Sequence, residues 1–68
     1  MEEFHARDGT IRLGQLLKAS GLVDTGGEAK LRLADEQVTV NGAVETRRGR
    51  QLHPGDVVAL GDASVRLT

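Results

Sequence analysis

The sequence predicts an α+β domain in which two short helices precede a small, mostly antiparallel sheet. Three observations carry that expectation. Leu13, Leu16 and Leu17 recur at i, i+3 and i+4, the spacing that lays one apolar stripe along a helix. Thr25-Gly26-Gly27-Glu28 matches a capping box, with a hydroxyl at the cap and a carboxylate three residues later. From Val38 onward, short β-branched runs are separated by turn residues, foremost Asn41-Gly42, whose tolerance of positive φ suits a two-residue hairpin turn.

In chain order, residues 1–9 lack periodicity and read as a loose lead-in to a single domain over 10–68, with Phe4 packing back on the core. Thr10 is the expected cap of a first helix over about 11–20, which Gly21 ends. Leu22 and Val23 then drop toward the core. A second helix over Gly26–Asp35 presents Ala29 and Leu33 on one face, with Leu31 and Ala34 adding apolar contacts. Its two opening glycines cost helix stability, about 1 kcal/mol each in a helix interior and less at an end. They admit two readings: a close approach of phosphate to the helix-end amides, or a tight steric fit between helices. The hairpin spans Val38–Val44. His53-Pro54-Gly55-Asp56 is a turn in which proline presets φ and glycine takes a left-handed conformation. Val57–Leu60 and Ser64–Leu67 complete the sheet.

Sixty-eight residues allow one small domain, which buries only about 60% of the surface of its unfolded chain. A large enclosed active site is not expected. Phe4 is the single aromatic residue, so aliphatic side chains fill the core and no aromatic platform exists for stacking bases. The absence of cysteine excludes disulfides and thiolate zinc sites. No apolar run is long enough to span a membrane, and the acidic opening Glu2-Glu3 is unlike a signal peptide, which predicts a cytoplasmic protein. The net charge of −1 conceals an uneven distribution: residues 1–11 carry −2, 12–50 carry +2 and 51–68 carry −1. The cations concentrate in Arg47-Arg48-Gly49-Arg50, a loop carried by the hairpin, and Arg12 and Lys18 lie off the apolar stripe of helix one.

The chemistry of catalysis is missing. Ser20 and Ser64 have no context that activates a nucleophile, the carboxylates are scattered, and no Lys-Ser or Lys-Thr follows Gly26-Gly27 as a phosphate-binding loop for a nucleoside triphosphate requires. His5 falls in the lead-in and His53 in a turn, without partners for a metal site. No catalytic residue, metal or cofactor is expected, and binding is the default.

Arg12-Leu13, Gly21, Ala29-Lys30, Val38, Val40-Asn41-Gly42 and Pro54-Gly55-Asp56 together resemble the S4 RNA-binding domain. Leu13-Gly14-Gln15, Leu17-Lys18, Gly26-Gly27-Glu28-Ala29-Lys30, Arg47-Arg48-Gly49-Arg50 and Gly55-Asp56-Val57 are closer still to its stand-alone YaaA/YbcJ-like bacterial subfamily. The resemblance covers about residues 11–60. It departs from the general family pattern at Gly14, which replaces Asp, at Gly26, which replaces Arg, and at Glu36, where a glycine usually precedes the first strand. Glu36 is thereby expected to bring negative charge beside the binding face.

The resemblance implies an S4-like fold, the αL arrangement, and a non-catalytic protein that binds structured RNA, by family analogy ribosomal RNA, in ribosome assembly or translation. Carried over by position, it nominates Arg12, Lys18, Gly26, Gly27, Lys30 and Asn41 as RNA-binding residues, and the subfamily motif adds Arg47, Arg48 and Arg50. Arginine forks suit phosphate, and Asn41 offers a donor and an acceptor to a base edge or 2′-hydroxyl. The loop arginines are expected to matter little to the core. A monomer is expected, with a ribosomal or other protein partner as a further option. Two alternatives come from other classes. One is a protein-interaction module. The other is a β-grasp sulfur carrier, suggested by Val40-Asn41-Gly42 and Pro54-Gly55-Asp56 but lacking the C-terminal Gly-Gly that activation of such carriers needs.

Overall fold

Row by row, aliphatic side chains on one face of a twisted sheet meet the leucine stripes of two helices. The computed structural model describes all 68 residues. Strand β1 (Glu2–Phe4) and the short β2 (Ile11–Arg12) precede helix α1 (Leu13–Ala19) and helix α2 (Gly26–Ala34). Strands β3 (Val38–Val40), β4 (Ala43–Val44), β5 (Gln51–Leu52), β6 (Val57–Leu60) and β7 (Ala63–Leu67) follow. The larger sheet runs β1-β7-β6-β3-β4, antiparallel except for the β1–β7 pair, and β2 with β5 forms a separate two-stranded ribbon. In register across β3, β6 and β7, Val40, Val58 and Val65 line up on the buried face, while Thr39, Ala59 and Ser64 form the opposite, wetter row. Leu13, Leu16, Leu17, Ala29 and Leu33 from the helices close over that face, joined by Leu52 from β5.

Two expectations about the amino-terminal part are corrected. A strand, not a helix, comes first. Glu2–Phe4 was expected as loose lead-in but pairs in parallel with Val65–Leu67, because the last strand would otherwise leave its edge unpaired. Glu3 meets Arg66 there at 2.6 Å, Phe4 packs on the core as expected, and Ala6 is buried outright. Helix one begins two residues later than its pattern suggested. Ile11 and Arg12 pair with Leu52 and Gln51, so Arg12 rather than Thr10 takes the cap position, its N–H donating to Gln15 Oε1 at 3.3 Å.

The second helix follows its signals closely. Thr25 Oγ1 accepts from the Glu28 N–H at 3.0 Å, and the Glu28 carboxylate reaches back to the Asp24 N–H at 2.8 Å. That bond is the main reason the Glu28 carboxyl titrates below its ordinary value. At the other end the Gln37 N–H bonds Arg32 O and the Glu36 N–H bonds Leu33 O, a Schellman closure that puts Glu36 at φ +59°. Leu31 and Ala34, expected to add apolar contacts, point to solvent instead, Leu31 with 65% of its surface exposed. They fall off the narrow Ala29/Leu33 stripe that the sheet covers.

Candidate functional site

The hairpin turn and the His53–Asp56 turn are tied to each other, and this fixes where the arginine loop starts. Asn41 and Gly42 both take positive φ, at +54° and +86°, as a type I′ turn requires. The Asn41 side chain then donates through Nδ2 to Asp56 Oδ1 at 3.0 Å and accepts the Val57 N–H at 2.9 Å. Asp56 also accepts the His53 N–H at 2.8 Å, and the Asn41 bond, followed by this one, lowers its pKa. Gly55 adopts φ +98°, the left-handed position expected of it.

From β4 the chain crosses to β5 through residues 45–50, and that loop lies against the start of α1. Its carbonyls complete the helix: the Leu13 N–H donates to Arg50 O at 2.8 Å and the Gly14 N–H to Arg48 O at 3.0 Å, satisfying two donors that a helix end leaves open. A Cβ added at Gly14 would stand 3.4 Å from Arg48 Cβ and 3.5 Å from Arg48 O, in ordinary contact with the loop. Glu45 organises the loop from inside. It is buried, and Oε2 accepts the Thr46 and Arg47 N–H groups at 3.1 and 3.2 Å and Arg47 Nε at 3.2 Å. Its Oε1 accepts Arg50 Nη1 at 3.0 Å. Hydrogen bonds from Arg47 first, then Arg50, hold the Glu45 carboxyl at about 2, well below its ordinary 4.5.

Beside this loop an open groove of about 510 Å³ runs along α1, from its cap to its last turn, and past the first turn of α2. Arg12, Gln15 and Lys18 border it from α1 and its cap, Gly26 and Ala29 from α2, and Arg48 and Gly49 from the loop; no acidic side chain lines it. Five of the nine Lys and Arg side chains enter no ion pair, and three of those five line the groove, Arg7 and Lys30 being the two that do not. Arg32 pairs with Glu28, Arg47 and Arg50 with Glu45, and Arg66 with Glu3, whereas Arg12, Lys18 and Arg48 have no carboxylate partner. Between Gly26 and its neighbours there is open space, with nothing within 4 Å of where a Cβ would be, which rules out the steric-fit reading of that glycine. The N–H groups of Gly26 and Gly27 are first-turn donors without a helical acceptor, and Gly26 leaves them approachable from the groove.

The nine expected residues thus separate into three groups. Arg12, Lys18, Gly26 and Arg48 come together in the groove. Gly27 and Lys30 are exposed on α2 and do not line the groove, Lys30 one turn beyond Gly26 on the same helix face. Asn41, Arg47 and Arg50 lie outside the groove: the first is a structural link between two turns, and the other two are held by Glu45. Among the loop arginines, Arg50 is the partly buried one, ion-paired with Glu45. Glu36, expected beside the binding face, closes the far end of α2 from Gly26.

The S4 domain family model matches residues 4–68, nearly the whole chain. The chain belongs to the S4 domain family. Among S4 relatives it is 46% identical over 50 residues to "Probable ribosome maturation protein RlbA" of Bacillus subtilis (strain 168), covering 74% of this chain and 70% of that protein. It is 39% identical over 57 residues to YbcJ of Escherichia coli (strain K12), covering 84% of this chain and 81% of YbcJ. The solution structure of E. coli YbcJ, described as revealing an αL motif involved in RNA binding, superposes with a TM-score of 0.75 at 35% identity, over 100% of this chain and 87% of that one. The S4-like fold expected from the sequence is therefore the fold observed, with β1 and the short β2 added ahead of the helices.

Proposed function

We propose that this chain binds structured RNA through the groove between α1 and α2, that ribosomal RNA is its target, and that it acts without catalysis in ribosome assembly in the cytoplasm. The observation that carries the reading is the convergence of Arg12, Lys18 and Arg48, all without carboxylate partners, on a groove floored by Gly26 and free of acidic side chains. Guanidinium and ammonium groups there supply bidentate and point-charge contacts to phosphate, and the α2 amides supply a third kind of donor. With a single aromatic residue in the chain, and that one packed on the core, bases have no aromatic ring to stack on. The surface therefore suits the shape and backbone of folded RNA rather than an extended single strand. RlbA is named a "Probable ribosome maturation protein", and YbcJ carries an αL motif described as involved in RNA binding; both support the target class. No helix is long and apolar enough to cross a membrane.

The test is a titration of labelled, folded ribosomal RNA fragments at several salt concentrations, with a DNA duplex as control. Each phosphate neutralised contributes a slope of about −0.7 to −0.9 in log affinity against log salt, so three groove cations give about −2 to −3. Preference for RNA with such a slope is expected. Weak, salt-insensitive binding to both nucleic acids would refute the proposal.

A further inference from the structure

Within the RNA-binding reading, the three loop arginines do not do the same work. We propose that Glu45 is the positioning residue of the groove: by clamping Arg47 and Arg50 it seats the 46–50 loop on α1 and leaves Arg48 as the loop arginine that meets RNA phosphate. Three observations support this division. Glu45 is the one charged side chain in the buried set, and both of its oxygens are occupied by loop donors. Arg47 Nε and Arg50 Nη1 both bond that carboxylate, at 3.2 and 3.0 Å, Arg50 with 34% of its side chain exposed and Arg47 with 77%. Arg48 makes no ion pair, lines the groove, and has its own carbonyl fixed by the Gly14 N–H.

The seat is a chain of contacts from Glu45 to the groove. The carboxylate draws in the guanidinium of Arg50, whose carbonyl receives the Leu13 N–H, and two residues earlier Arg48 O receives the Gly14 N–H. Without the carboxylate, three loop cations would repel one another and the loop would have to be ordered when RNA binds. Glutamine cannot substitute, because its amide NH₂ would set a donor against the N–H donors that one Glu45 oxygen now accepts.

The proposal has an electrostatic sign that separates it from simple charge addition. Glu45 is an anion near a polyanion's site, so by charge alone Glu45→Gln would tighten RNA binding. As a positioning residue, Glu45 makes the same substitution weaken it. The experiment uses the full chain as Glu45→Gln, Glu45→Asp, Arg48→Ala and Glu45→Gln/Arg48→Ala, titrated against a folded ribosomal RNA fragment across salt, with amide hydrogen exchange measured without RNA. Glu45→Gln is expected to bind about fivefold more weakly, the ordering cost of roughly one long side chain. Its salt slope is expected to stay at the wild-type value, because the Arg48 contact still forms once the loop is ordered, whereas Arg48→Ala lowers the slope by about 0.7–0.9, one phosphate contact. The double variant is expected to bind no more weakly than Arg48→Ala, and Glu45→Asp, which keeps the charge, recovers part of the affinity. Leu13 and Gly14 amides are expected to exchange faster in Glu45→Gln while α2 amides stay protected. Tighter binding by Glu45→Gln would overturn the proposal and make Glu45 a competitor for the arginines. Unchanged protection of Leu13 and Gly14 would overturn the clamp. Failure of the wild-type chain to bind RNA would overturn the reading of the groove itself, and the exchange rates would then decide the clamp alone.

Discussion

Glu36→Gly is expected to stabilise the domain, and the structure sets the size of the gain. Glu36 sits at φ +59°, where an L side chain costs about 1–2 kcal/mol. Its side chain is exposed and enters no hydrogen bond or ion pair, so removing it forfeits no contact. The two backbone bonds of the Schellman closure, Gln37 N–H to Arg32 O at 3.0 Å and Glu36 N–H to Leu33 O at 3.1 Å, do not depend on it. Against the relief stands the extra freedom glycine gives the unfolded chain, about 0.4–1 kcal/mol. The net is a gain of about 0.5–1 kcal/mol, or about 2–8 °C in Tm for a domain of this size. Thermal unfolding followed by circular dichroism reads it directly. Glu36→Ala is the control, since alanine removes the charge but keeps the strained φ. Equal gains from alanine and glycine would refute the backbone argument and assign the effect to charge. RNA affinity is expected to stay nearly constant, because α2 places Glu36 about 15 Å along the helix from Gly26, beyond a Debye length of about 8 Å at physiological salt.

Three further outcomes are expected. The Glu45, Asp56 and Glu28 carboxyls all have lowered pKa values in the folded chain, so their contribution is present above their ordinary values and is lost as pH falls through the folded ones. Urea midpoints should therefore decline from about pH 4.5 toward about 2, and Glu45→Gln should flatten that decline. Leu16→Ala, at a fully buried site, should cost about 2–5 kcal/mol in urea unfolding, a large part of the roughly 3–10 kcal/mol expected of 68 residues. Arg48→Ala should weaken RNA binding about tenfold without moving Tm, whereas Arg66→Ala, which removes a cation paired with Glu3 outside the groove, should leave affinity unchanged.

Local signals proved reliable where one short segment contains all the relevant partners. The leucine stripe of α1, the Thr25 cap, the Asn41-Gly42 turn and the Pro54-Gly55 turn are each specified within about four residues, and each was legible. Long-range pairing was not. Strand β1 exists because β7, more than sixty residues away, offers it an edge, and nothing in Glu2-Glu3-Phe4 alone announces that. Ile11 and Arg12 carry a helical-looking context, yet β5 captures them as a strand. At Leu31, hydrophobicity was mistaken for burial, because only the sheet's position decides which side of α2 is covered.

The candidate site shows the same division more sharply. Resemblance to the S4 pattern gathered the cations but could not sort them, since a basic motif reads alike whether its arginines face solvent or a buried carboxylate. Glu45 is what sorts them, and it stood in view two residues before Arg47 and five before Arg50. In sequence alone an acidic residue in a basic run is indistinguishable from charge balance, and the meaning of Glu45 lies in its burial, which only the packed fold supplies. Asn41 makes the complementary point. Its donor and acceptor suited an RNA edge in sequence, but folding engages both with Asp56 and Val57, so the residue that looked most like a reader holds two turns together. Groove chemistry in this fold is accordingly set by which polar groups the fold leaves unpaired, and Arg12, Lys18 and Arg48 are the groove cations that qualify.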